Sequence, residues 1–125
     1  MRLLLDTHAI IWYAQGSPLL SSTARDAMER EECHFSIASL WEIAIKQRLG
    51  KLNFAATIPA IFTFCEAAGF HPLGITPAHA EALKTLPDIH RDPFDRMLIA
   101  QAQVEGLTVV TADSFIPKYP VETLW

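Results

Sequence analysis

The chain has no surplus of positive charge: 10 Lys and Arg stand against 14 Asp and Glu, a formal charge of −4. That balance excludes a protein that coats nucleic acid indiscriminately, because such binding runs on excess Lys and Arg. Only a local basic patch is compatible with it. Cysteine is scarce, and the two present, Cys33 and Cys65, have neither zinc nor redox spacing. They read as small buried hydrophobes in a reducing compartment. No membrane span is written in the sequence, since the most apolar long window, residues 55–75, is broken by Pro59, Glu66, His71 and Pro72. The opening run MRLLLDTHAIIWYA carries Asp6 and His8 and lacks a small-residue cleavage site, so it does not read as a signal peptide. A soluble cytoplasmic protein is expected.

Several chemistries are missing too. No GxGxxG follows the first apolar run, and LGK at 49–51 lacks the upstream glycine and the Ser/Thr of a phosphate loop. His8, His34, His71, His79 and His90 form no HExxH pair, which leaves zinc unsupported. A serine nucleophile elbow is absent. No repeat, low-complexity tract or linker divides the chain. Its 125 residues, half of them hydrophobic, fit one domain, 1–125, with a proper core.

What is present is an alternation of short apolar runs and helical patterns. RLLL (2–5) reads as a strand followed by a helix over about 7–13, and a second helix covers about 21–31. CHFSI (33–37) is strand-like, and a helix over 39–49 stops at Gly50. A helix over about 58–68 puts Ile58, Ile61, Phe62 and Cys65 on one face, before a strand candidate FHPLGI (70–75). Thr76-Pro77 opens another helix by cap and first-turn proline. Asp92-Pro93 opens the next, which runs to Glu105 and stops at Gly106. LTVVT (107–111) is a buried strand and VETLW (121–125) an edge strand. Strands alternating with helices imply an α/β fold on a parallel sheet, whose functional residues gather beyond the carboxyl ends of the strands.

Four acids fall at such places. Asp6 follows LLL directly, Asp113 comes two residues after the LTVVT run, Asp95 lies at the start of the helix that leads into that strand, and Glu42 lies in the first turn of the helix after CHFSI. Each has a local explanation. Asp6 and Asp113 can cap a helix or turn, Ser39 to Glu42 has capping-box spacing, and Asp95 favours a helix dipole beside its cap Asp92. Capping predicts no common meeting point, whereas a metal site requires one at a single edge of the sheet. Hard oxygen donors suit Mg²⁺ or Mn²⁺, and crowded acids repel one another unless a cation is present. A divalent ion that activates a water and neutralises phosphate charge is what a phosphodiesterase or nuclease needs.

With LLLDTHAIIW, SLWEIAIKQRLGKL (39–52), HRDPFDRMLIAQA (90–102) and LTVVTADSF (107–115) in that order, the chain resembles the PIN-domain ribonucleases, specifically the VapC-type toxins of bacterial toxin–antitoxin pairs. The resemblance implies a PIN-like parallel sheet flanked by helices. It also implies a metal site of Asp6, Glu42, Asp95 and Asp113 for Mg²⁺ or Mn²⁺, with Asp6 and Asp95 as direct ligands. RNA would be cut in line by metal-activated water, giving a 5′-phosphate and a 3′-hydroxyl. Ser114 and Phe115 stand where many relatives carry a further acid or Asn.

Thr7, Ser39 and Thr111 adjoin the acids, to orient them or to cap locally. Arg91, Arg96, Lys46 and Arg48 are either RNA-backbone contacts or solvated surface. Leu40, Trp41, Ile43, Ala44 and Ile45 make the 39–49 helix apolar on nearly every side, which fits core burial or a partner surface. On the family reading such surfaces, with Phe64 and Trp12, serve a homodimer and a cognate antitoxin. Two alternatives are a catalytically inactive PIN-like RNA-binding module and a receiver-like phosphoacceptor domain. For the latter, DTH, HPLGI and TAD lack the required acids and lysine.

Overall fold

The computed structural model describes residues 1–125. Its elements are β1 (Arg2–Leu5), α1 (Thr7–Gln15), α2 (Ser22–Arg30), β2 (Glu32–Ser36), α3 (Ile37–Arg48), α4 (Ile58–Ala67), β3 (His71–Leu73), α5 (Pro77–Ala82), α6 (Pro93–Glu105), β4 (Thr108–Val110) and β5 (Thr123–Leu124). Single 3₁₀ turns follow at Leu83–Thr85 and Ile116–Lys118. All strands are parallel, in the order β3-β2-β1-β4-β5. A receiver-type domain of flavodoxin-like topology has the order 2-1-3-4-5, so the strand order removes that alternative.

The sheet is buried on both faces, as a parallel sheet with helical crossovers must be. Leu3, Leu5 and Val110 join the larger core with residues of α1, α2, α3 and α4. Leu4 and Val109 point the other way, into a smaller core with Leu98, Ile99 and Ala102 of α6. The alternation of consecutive residues between the two cores is the strand period of two. It explains why Leu3–Leu5 and Val109–Val110 carry no polar residue on either side.

Two boundaries differ from the sequence expectation, each for a local reason. Ser36, the last residue of β2, has an extended backbone and accepts from the Ala38 N–H at 3.1 Å. It therefore caps α3 three residues before Ser39, and the Ser39–Glu42 capping box does not form. Ser39 is instead buried within α3 with its hydroxyl unpartnered, and Glu42 lies in the second turn rather than the first. The 70–75 strand contracts to His71–Leu73 on the sheet edge, where Pro72, lacking an N–H, is tolerated.

The connections from β1 run toward β2 and β3, and the chain then crosses back to lay β4 on the other side of β1. The order reverses between β1 and β4, and in such sheets a crevice opens there beyond the strand ends. Asp6 continues the ladder past β1, its N–H donating to the Val110 carbonyl at 3.1 Å.

Candidate active site

Asp6 stands where β1 turns into α1. Its extended backbone makes it the N-cap, and Oδ1 accepts from the Ala9 N–H at 2.8 Å. Burial pushes its pKa up, opposed by the hydrogen bonds from Thr111 and Ala9. The next residue, Thr7, donates its hydroxyl to Glu42 Oε1 at 2.6 Å, while Lys46, one turn along α3, donates to Glu42 Oε2 at 2.7 Å. Both oxygens of a buried carboxylate are thus fixed. For Lys46, burial acts to lower the pKa, but the Glu42 hydrogen bond and the charges of Glu42, Asp92 and Asp95 prevail and raise it.

Asp92 caps α6, Oδ1 accepting from the N–H groups of Phe94 at 2.8 Å and Asp95 at 3.2 Å. Asp95 is left to face the cavity, and its Oδ2 lies 3.2 Å from His90 Nε2. Burial first, then the charges of Asp92, Asp113 and Glu42, push its pKa up to about 7, with His90 acting in the opposite direction. Asp113, beyond β4, accepts from the Phe115 N–H at 2.6 Å, and its own N–H donates to Thr111 Oγ1 at 3.0 Å.

Asp6, Glu42, Asp95 and Asp113, brought from four segments, all line one cavity of about 290 Å³, together with Asp92, Lys46, Thr7, His8, Trp12, His90 and Ala112. Five carboxylates face one ammonium group. The donor set is dominated by hard oxygens, and the pKa of Asp95 is raised by burial and, after it, by the like charges of Asp92, Asp113 and Glu42. Both features fit a divalent cation. Donor atoms of His90, Asp92 and Asp95 lie within 4.8 Å of one another, so Asp92 is a cap that also borders the cavity.

Of the other expected residues, Lys46 lines the cavity, Arg91 and Arg96 border an adjoining hollow with His90, and Arg48 is exposed at the end of α3. Thr7 and Thr111 bond the site residues, whereas Ser39 bonds none of them. His8, His90 and Trp12 were not expected to line it. Spacing carried part of the signal: His90 stands two residues before the cap Asp92, and His8 and Trp12 are i and i+4 on one helix face.

A parallel α/β domain with an acidic cavity at the switch point of its sheet is the class of protein that these features define. The PIN-domain family profile matches residues 3–121, and the chain belongs to the PIN-domain family. Its fold is shared with a chain of VapBC2 from Rickettsia felis bound to a promoter DNA fragment, with TM-score 0.72, 11% identity, and coverage of 99% of this chain and 98% of that one. FitAcB from Neisseria gonorrhoeae gives TM-score 0.69 and 16% identity over 98% and 96% of the two chains. A toxin–antitoxin complex from Klebsiella pneumoniae gives 0.66 and 18% over 98% and 96%. No curated protein matches the sequence.

Proposed function

We propose that this protein is a divalent-metal-dependent endoribonuclease and the toxin of a toxin–antitoxin pair. The observation that carries this reading is the meeting of Asp6, Glu42, Asp95 and Asp113, from four separate segments, in one cavity at the switch point. Asp6 and Asp95 would hold Mg²⁺ or Mn²⁺ directly, with Glu42 and Asp113 acting through waters. When bound, the ion neutralises charge on the scissile phosphate and acidifies a water for in-line attack.

The chain's own part is orientation and proton handling. Thr7 and Lys46 pin Glu42, Thr111 orients Asp6 and the Asp113 backbone, and a carboxylate of the set takes the proton of the attacking water. Cleavage of the bond to the 3′ oxygen leaves a 5′-phosphate and a 3′-hydroxyl.

The apolar surplus of α3 divides cleanly. Leu40 and Ile43 are buried, whereas Ile37, Trp41, Ile45 and Leu49 form an exposed stripe at four-residue spacing. Trp41 is 61% exposed, packs edge-on against Phe94 at 5.1 Å, and borders an apolar groove of about 170 Å³ with Ala38, Ile75, Leu83, Pro93 and Met97. On this reading the stripe serves a homodimer, and the antitoxin covers the acidic cavity in the cytoplasm. Trp12, half-buried at that cavity, and Phe64 on α4 are further contact candidates. No helix is long and apolar enough to cross a membrane.

Incubation of purified protein with structured RNAs in Mn²⁺, Mg²⁺ or excess chelator tests the activity, with Mn²⁺- or Mg²⁺-dependent cleavage expected. Unchanged cleavage in chelator refutes the metal mechanism, and harmless expression of an RNase-active protein refutes the toxin role.

A further inference from the structure

The acidic cavity is a poor receptor for a polyanion. Lys46 is the only ammonium among five carboxylates, and the net charge of −4 supplies no general attraction. Affinity for a strand therefore needs groups whose attraction does not depend on charge. Stacking of a nucleobase on an aromatic ring is such an attraction.

His90, in the cavity wall, is one ring of a stacked pair. His90 and Phe115 lie parallel, with centroids 4.6 Å apart and planes 4° from each other. Phe115 is 40% exposed, and the His90 side chain is 26% exposed. The His90 backbone is fixed: its N–H donates to the Tyr119 hydroxyl at 2.8 Å, and its carbonyl accepts from Arg96 Nη1 at 3.3 Å. Lys118 Nζ sits over the Phe115 ring, 5.1 Å from its centre, so His90 is the ring of the pair that meets the cavity.

His90 is also the one residue common to two hollows, the acidic cavity and an adjoining space of about 540 Å³ lined by Asp88, Ile89, His90, Arg91 and Arg96. One ring thus stands between the carboxylates and two guanidinium groups. The other aromatic wall suits stacking less well, since His8 and Trp12 are tilted by 41° and Trp12 packs on the larger core.

We propose that the His90–Phe115 pair is a stacking platform that positions one unpaired base beside the scissile phosphate, with the strand continuing toward exposed Arg91. The proposal rests on the nuclease reading above and assigns His90 as a positioning residue. Arg96 has Nη1 committed to the Pro87 and His90 carbonyls and the Tyr119 hydroxyl. It therefore braces the loop, and Arg91 meets the next phosphate.

The test is equilibrium binding of an unmodified single-stranded RNA in excess chelator, which withholds the ion that cleavage needs, followed by fluorescence anisotropy. His90→Ala should weaken binding roughly 10- to 100-fold, the range for loss of one base–aromatic stack. His90→Phe keeps the ring without the Asp95 contact and should bind like wild type. His90→Gln keeps a donor without the ring and should behave like His90→Ala. An abasic site at one position of the strand should weaken wild type to the same degree and leave His90→Ala unaffected.

No binding by the wild type, equal binding by all variants, or an equal loss in His90→Phe and His90→Ala overturns the platform. Cleavage of the unmodified strand in Mn²⁺, run in parallel, separates the two readings. Ring-dependent binding without wild-type cleavage refutes the nuclease and supports the platform, whereas cleavage with ring-independent binding refutes the platform alone.

Discussion

At the start of α1 one acid has two jobs, and at the start of α6 two acids share them. Asp6 caps α1 and lines the cavity with the same carboxylate. At α6 the capping falls to Asp92, and Asp95 is left to face Glu42 and Asp113. Both carboxyls are pushed up by burial, but the supports differ. Asp6 receives hydrogen bonds from Ala9 and Thr111, whereas Asp95 has only His90 at 3.2 Å against three like charges. Capping and site chemistry are therefore not rival accounts of an acid at a helix start. They coincide in Asp6 and separate in α6, where substitution can tell them apart.

The largest expected effect erases the contrast. Asp6→Asn and Asp95→Asn should each lower the initial rate of RNA cleavage in Mn²⁺ by at least about 100-fold, the scale for removing a group that stabilises transition-state charge. Full activity in either variant removes that residue from the metal set.

Metal linkage comes next. With Mn²⁺ at a hundredfold excess over its dissociation constant, the wild type should gain roughly 2.7 kcal/mol in thermal melting, and Asp95→Asn much less. An undiminished gain would make Asp95 a helix-end residue only.

Stability without metal sharpens the comparison further. Asp6→Ala loses a cap that Asp6→Asn keeps, and should be the less stable of the two by about 1 kcal/mol in chelator. Asp95→Asn should instead raise the melting temperature, since relief of repulsion outweighs a first-turn dipole contribution of about 0.3 to 1 kcal/mol. The pH dependence has a definite sign. Asp95 takes up its proton at about 7 in the folded chain, against an ordinary 3.8. Between these values the folded state binds more protons than the unfolded one, so the Asp95 contribution makes stability fall as pH rises through about 4 to 7. Melting of Asp95→Asn in chelator should show a shallower fall over that window. A slope identical to wild type would place the repulsion elsewhere.

The smallest effect is expected at Asp92→Asn. Asn caps as well as Asp, so the cap is kept, the loss of the Asp92 charge beside Asp95 should add only a small stabilisation in chelator, and the Mn²⁺ response should persist. A lost response would promote Asp92 from cap to ligand.

The acids at strand ends were legible because position relative to an apolar run is a local property. Asp6 after LLL and Asp113 after TVV needed no knowledge of distant contacts. Glu42 was expected in the first turn of its helix and lies in the second, because Ser36 at the end of β2 takes the cap that the sequence also offered to Ser39. The pairing of β1 with both β2 and β4 was not legible: the sequence supplied the strands and their alternation with helices, but strand order is set by crossovers that no window contains. The aromatic rim was missed because the histidines were weighed only as zinc ligands, although the spacing of His90 to Asp92 and of His8 to Trp12 carried part of the information.

The central position of β1 also bears on when the site exists during synthesis. Its pairing with β2 joins Leu5 to Phe35, whereas its pairing with β4 joins Leu5 to Val110, so a ribosome has made most of the chain before the second contact can form. A chain emerges N-terminus first and a domain folds as a unit, and Asp6 and Glu42 are synthesised long before Asp113 and the Tyr119 hydroxyl that fixes His90. A nascent chain lacking β4 carries three of the four acids, Asp6, Glu42 and Asp95, but neither Asp113 nor the crevice wall, so the acidic cavity is complete only once translation has passed β4.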